Sequence, residues 1–114
     1  MLGFVDSAIG TLRTGVAEES HFAEAHPDLG DTCAISDLDS DDMLRKLAQS
    51  GQRNGYAFEL NCPARDRSRP RRIFQVTARP LHSDMPAYCT DQSGILRYDE
   101  GGLPAKCLQS GVRF

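Results

Sequence analysis

Gly55–Pro80 reads GYAFELNC, then PARDRSRPR, then RIFQVTARP: two alternating segments joined by a polar, arginine-rich link. In Gly55–Cys62 the large apolar residues Tyr56, Phe58 and Leu60 fall on one face of an extended chain. In Arg72–Pro80, Phe74, Val76 and Ala78 share one face, and Ile73, Gln75 and Thr77 share the other. Two such runs around Pro63–Arg71 predict an antiparallel hairpin with a charged tip.

Downstream, shorter strands are expected near Ala87–Thr90 and Ile95–Tyr98, joined by the turn residues Asp91-Gln92-Ser93-Gly94. The glycine-bearing tail, Gly101–Phe114, is expected to be irregular and tied back through Cys107. Upstream, Val5, Ile9, Leu12, Val16 and then Phe22 or Ala23 recur at spacings of three and four, which places them on one helical face. Asp6, Arg13, Glu18, Glu19 and Glu24 lie mostly off that stripe. Gly10 and Gly15 weaken the helix by up to roughly 1 kcal/mol each, so it needs support from packing. Pro27 and Gly30 end it.

Between helix and sheet, residues 27–54 read as a connecting region. Ser40 followed by Asp41 and Asp42 offers a hydroxyl cap and carboxylates at a helix start. A short helix over Met43, Leu44, Leu47 and Ala48, ending at Gly51, is expected there. The predicted fold class is α+β: a long N-terminal amphipathic helix over residues 1–26 packed on a small antiparallel meander within 55–98. A disulfide-tethered tail, residues 99–114, completes one single domain over residues 1–114. A meander of this size leaves a face open, and that helix is the one predicted element long enough to cover it.

Apolar residues make up 39% and charged residues 25% of the 114, a globular rather than disordered composition. A net charge of −3 does not point to nucleic acid as a partner. Cys33, Cys62, Cys89 and Cys107 form no C-x-x-C pair, which sets them apart from zinc knuckles and ribbons. An even count without such pairs predicts two disulfides and an oxidising compartment. Three connectivities are open; Cys33–Cys62 with Cys89–Cys107 is preferred because both pairs close moderate loops. No run of about 18 apolar residues occurs, and MLGFVDSAIGTLRTG lacks the basic start and apolar block of a signal peptide. Bridged cysteines without an export signal lead to the expectation that an export segment was removed, by processing or by design of the expressed chain.

Candidate chemical groupings are few. Asp37, Asp39, Asp41 and Asp42 in SDLDSDD supply carboxylates, but Asp42 and Ala48 stand where an EF-hand needs glycine and glutamate. Capping in a solvated loop accounts for them. Arg65, Arg67, Arg69, Arg71 and Arg72 are candidates for contact with phosphate or an acidic partner. No aromatic residue lies among them to stack on bases, and a solvated hairpin tip that resists edge-to-edge pairing is the preferred account. His21 and His26 are five apart rather than four, and His82 is remote from both. No G-x-S-x-G elbow, phosphate-binding glycine loop or H-E-x-x-H is present, so nothing supports catalysis and no cofactor is expected.

Several stretches together resemble the type IV pilin-like family, including the pseudopilins of type II secretion. Ser7-Ala8-Ile9-Gly10-Thr11-Leu12-Arg13-Thr14, Ala17-Glu18, Phe22 and Pro27 resemble the helix segment after the membrane anchor. Gly55–Leu60 and Phe74–Leu81 resemble the first two strands, and Thr90–Tyr98, TDQSGILRY, the closing hairpin. The prepilin leader and the anchor of about 20 apolar residues with one glutamate have no counterpart here. The resemblance implies a structural subunit that assembles with copies of itself, other pilins or secretion components, in an extracellular or periplasmic setting. Before assembly it would be anchored in the inner membrane through the missing N-terminal segment. Val5, Ile9, Leu12 and Val16 would then both cover the sheet and contact neighbouring helices. It also implies a C-terminal loop closed by Cys89–Cys107, and a candidate calcium site in the sheet region at Asp91, Asp99 and Glu100. The alternative is a secreted or periplasmic binding module that recognises an acidic surface through Arg65–Arg72. A small cytosolic enzyme, the third class, requires four free thiols.

Overall fold

The computed structural model describes residues 2–114; Met1, part of the expected helix over 1–26, lies outside the described residues. Helix α1 spans Leu2–Ala25. A single 3-10 turn, Ile35–Asp37, precedes helix α2, Asp42–Ser50. Strands β1 (Gln52–Arg53), β2 (Tyr56–Asn61), β3 (Gln75–Pro80), β4 (Ala87–Asp91) and β5 (Arg97–Asp99) follow. Helix α3 covers Pro104–Ser110, and β6 is Val112–Arg113. The six strands form one antiparallel meander in sequence order. The fold is α+β, a helix followed by an antiparallel sheet.

Register explains which residues meet α1. Phe58 pairs with Ala78, and Leu60 with Val76, which pairs in turn with Thr90. These residues, together with Tyr56 and Tyr88, are buried on the helix side. From α1 the deepest residues are Ala8, Thr11, Leu12 and Glu19, with Leu12 wholly inaccessible. Val5, Ile9 and Val16 pack against the same core but are only partly buried. The centre of the buried stripe therefore runs through 8, 12 and 19, one side of the expected 5–9–12–16 line.

The local signals act much as expected in α2, with one substitution. Asp41, not Ser40, is its cap: Asp41 Oδ1 accepts the Leu44 N–H at 2.9 Å. Ser40 instead donates its hydroxyl to Glu18 Oε2 on α1. At the far end Gly51 adopts φ 74°, a left-handed C-cap that a side chain would strain. The unexpected β1 arises at the end of the predicted connecting region. Asn54 and Gly55 both take positive φ, the two-residue hairpin turn that matches strand twist. A Cβ on Gly55 would sit 2.7 Å from the Phe4 ring, so α1 and the hairpin close on each other because residue 55 is glycine.

The C-terminal tail corrects the expectation of an irregular segment. Pro104 at the first turn of α3 has no N–H to leave unsatisfied, and its ring fixes a helical φ. Cys107 of α3 is bridged to Cys89, whose neighbour across the ladder is Thr77. Cys89 and Thr77 lie on the sheet face opposite α1, and both are buried. The sheet is thus covered on its second face as well, by a helix too short to have registered as periodicity. Ordered pairing also begins later in the hairpin: β3 starts at Gln75 rather than Arg72, and β5 at Arg97 rather than Ile95.

Candidate interaction surfaces

Both disulfides follow the preferred pairing, Cys33–Cys62 and Cys89–Cys107, with Cα–Cα distances of 5.4 and 6.1 Å. No cysteine is free, and two such bridges belong to an oxidising extracellular or periplasmic environment. No helix among the described residues is long and apolar enough to cross a membrane.

The arginine segment is more than a free hairpin tip. Gly30 and Arg71 form a parallel bridge, with Asp31 N–H donating to Arg71 O and Arg71 N–H to Leu29 O. A side chain on Gly30 would place its Cβ 2.2 Å from Arg71 O, so the close approach requires glycine. Arg71 also directs Nη1 to Cys33 Sγ at 2.8 Å, beside the Cys33–Cys62 bridge. Asp66 accepts from the Ser68 N–H and hydroxyl; these bonds, with Arg71 nearby, hold its carboxyl below the usual range. Arg71 is therefore a structural tie. Arg65, Arg67, Arg69 and Arg72 are exposed, and the ion pairs found among the described residues lie elsewhere, at Glu18–His21 and Asp42–Arg45.

On α1 the outward stripe carries Gly3, Gly10 and Ala17, all exposed and seven residues apart. Among the described residues, a Cβ on Gly3 or Gly10 would meet nothing within 4 Å. A third surface was invisible in the sequence. A groove of about 530 Å³ opens between Ile9 of α1, the Asp84–Pro86 segment, Tyr88 of β4, Tyr98 of β5 and the terminal Phe114. The Phe114 ring meets those of Tyr88 and Tyr98 edge-on, each at 5.8 Å between centroids. Glu100 stands with Asp84 at its mouth. Burial, then Tyr98 and Asp6, push the Tyr88 hydroxyl above its ordinary value.

Glu19, expected off the apolar stripe of α1, lies instead on its buried face. It is 1% exposed, and Oε1 accepts the Thr32 N–H at 2.8 Å. Burial, with Asp31 and Asp37 adding repulsion, raises its pKa to about 7. The signal was present: position 19 is seven residues beyond Leu12 on the same face.

The remaining candidates do not converge. Asp91 accepts from Ser93 at the end of β4, whereas Asp99 pairs with Ala87 at its start and accepts the Leu103 N–H. Asp91 thus lies a strand length from Asp99 and Glu100. Among the described residues, no three of His, Cys, Asp and Glu are placed to hold a metal ion. Asp41 caps α2 and Asp37 accepts the Thr32 hydroxyl at 2.5 Å, so these members of the acidic run serve local structure. Comparison of the chain with protein-family models, with curated proteins and with solved structures finds no match.

Proposed function

We propose that this chain is the head portion of a structural subunit in a type IV pilus-like or secretion pseudopilus filament. The observation that carries this reading is the outward stripe of α1. A helical glycine costs about 0.5–1 kcal/mol relative to alanine. At Gly3 and Gly10 a Cβ would meet nothing within 4 Å among the described residues, so no packing described within the molecule makes use of the missing side chain. Small residues at one stripe let another helix backbone come close, the requirement of a filament built on parallel subunit helices. A seven-residue spacing drifts only about 20° per repeat, so Gly3, Gly10 and Ala17 stay on one side.

The rest of the molecule is consistent with that role. A long N-terminal helix lies along a meander whose C-terminal segment is fastened by Cys89–Cys107. In this reading Leu12 holds the helix to its own sheet, while the half-buried Val5, Ile9 and Val16 border the contact with neighbours. Anchoring in the inner membrane before assembly would come from an apolar segment ahead of α1.

Gly10→Leu and Ala17→Leu test the reading in cells that make the full-length protein. Both positions are exposed, so the purified chain should melt no earlier than the parent. Electron microscopy should find surface filaments lost. Filaments of normal number and length carrying both substitutions would overturn the assignment.

A further inference from the structure

We propose that successive copies associate head to tail, the arginine tip of one copy seating a guanidinium in the aromatic, acid-rimmed groove of the next. This deepens the filament reading and rests on it, by naming a contact between heads that the helix stripe does not provide.

The groove has the chemistry of a guanidinium site. Tyr98 and the exposed Phe114 present aromatic surfaces above the buried Tyr88, and arginine stacks on such faces while its N–H fork reaches acceptors. Asp84 and Glu100 are exposed at the mouth, outside the ion pairs found among the described residues. Arg97 and Arg113 pair with each other across β5 and β6. Strand alternation sends both to the face opposite Tyr98, so no cation of these strands neutralises the groove.

The complementary surface is on the same molecule but cannot reach. The tip leads into β3 at Gln75, and the Asp84 segment follows β3 after Pro80. In an antiparallel meander these connections lie at opposite ends of the strand. Six residues separate them by about 20 Å. The exposed Arg65, Arg67 and Arg69 therefore meet a groove of this kind on a second copy. With successive copies oriented alike, as the filament reading has them, the contact is heterologous and leaves a free tip and a free groove after every addition. Such a contact extends a filament, whereas an antiparallel pair that exchanged both contacts would stop at a dimer and overturn the proposal.

The test is sedimentation of the whole chain over rising concentration, in low salt and in about 1 M salt, where the screening length falls to about 3 Å. The parent should grow in average mass with concentration in low salt and return to 12.5 kDa in high salt. One variant carries Asp84→Asn with Glu100→Lys; asparagine suits the positive φ of residue 84. The other carries Arg65→Glu, Arg67→Glu and Arg69→Glu. Each alone should stay monomeric, while their mixture should form a 1:1 pair and nothing larger, since one intact tip then meets one intact groove. A variant that melts earlier than the parent is replaced by its neutral counterpart, Glu100→Gln or Arg→Gln. A parent that stays monomeric throughout, a variant that assembles alone, or a mixture that fails to pair while the parent assembles would each overturn the proposal. Gly10→Leu leaves tip and groove untouched, so filaments lost in that variant beside a monomeric parent head would remove this contact and spare the filament reading.

Discussion

Glu19 Oε1 accepts the backbone N–H of Thr32 at 2.8 Å, while its Oε2 is buried without a hydrogen-bond partner among the described residues. One carboxylate thus fastens α1 to the segment before Cys33. It does so from a position where charge is disfavoured.

A pH dependence follows from that placement. Folding raises the Glu19 pKa from 4.5 to about 7, chiefly by burial. A raised acid favours the folded state in its protonated form. Its contribution is complete below about pH 4.5 and is lost as pH rises through 7. The difference between the two values corresponds to roughly 3 kcal/mol. Asp31, also raised by burial, acts in the same direction. Thermal melts should show a higher Tm at pH 5 than at pH 8. Glu19→Gln keeps an acceptor for Thr32 without a charge, so it should raise the Tm at pH 8 and flatten the profile. A profile unchanged by Glu19→Gln would show that Glu19 ionises at its ordinary pH.

Two glycines should respond to substitution with opposite signs. At Gly10 a Cβ meets nothing within 4 Å, and Gly10→Ala should stabilise the chain by about 0.5–1 kcal/mol. At Gly55 the backbone has φ +85° and the Phe4 ring is 2.7 Å from the ideal Cβ. Gly55→Ala should destabilise by about 1–3 kcal/mol through strain and the displaced ring. Denaturant midpoints of the two variants measure both signs in one experiment.

These residues also mark how far the sequence could be read. Alternation at Tyr56, Phe58 and Leu60, and at Phe74, Val76 and Ala78, located β2 and β3, because burial on one face imposes period two. The helical stripe found α1 but was centred slightly wrong: Ala8 and Glu19 are as buried as Leu12, and neither is a large apolar residue. Strand β1 was missed although Asn54-Gly55 carries the hairpin signal. Helix α3, with only Pro104–Ser110, is too short for periodicity; Leu103-Pro104 and Gly111 were its sole marks. The groove had no local signature, since Ile9, Tyr88, Tyr98 and Phe114 converge only once the strands are in register.

Leu12 anchors the helix more strongly than its flanking neighbours. It is wholly buried, whereas Ile9 and Val16 keep part of their surface in water. Leu12→Ala should cost about 2.5–5 kcal/mol through lost burial and the cavity left behind. Val16→Ala should cost distinctly less, since a half-exposed side chain loses less transfer free energy. Equal losses at the two positions, measured by urea unfolding, would contradict the orientation of α1.

The two disulfides should differ in what they release. Each closes a moderate loop, 29 residues apart for Cys33–Cys62 and 18 for Cys89–Cys107. On chain-entropy grounds either is worth about 3 kcal/mol. Their local consequences diverge because they fasten different elements. Without Cys89–Cys107, α3 loses its covalent hold on the sheet face that carries Thr77, which it keeps from water. Amide exchange should then quicken across Pro104–Ser110 and at β5–β6, while the Gly30–Arg71 bridge stays protected. Without Cys33–Cys62, Arg71 loses its partner sulfur, and exchange should quicken at Asp31 and Arg71, whose N–H groups close that bridge. Helix α3 should be unaffected. Cys→Ala pairs read by hydrogen–deuterium exchange separate the two cases. Uniform loss of protection in both variants would mean that the sheet opens as one unit and that neither bridge guards a local element.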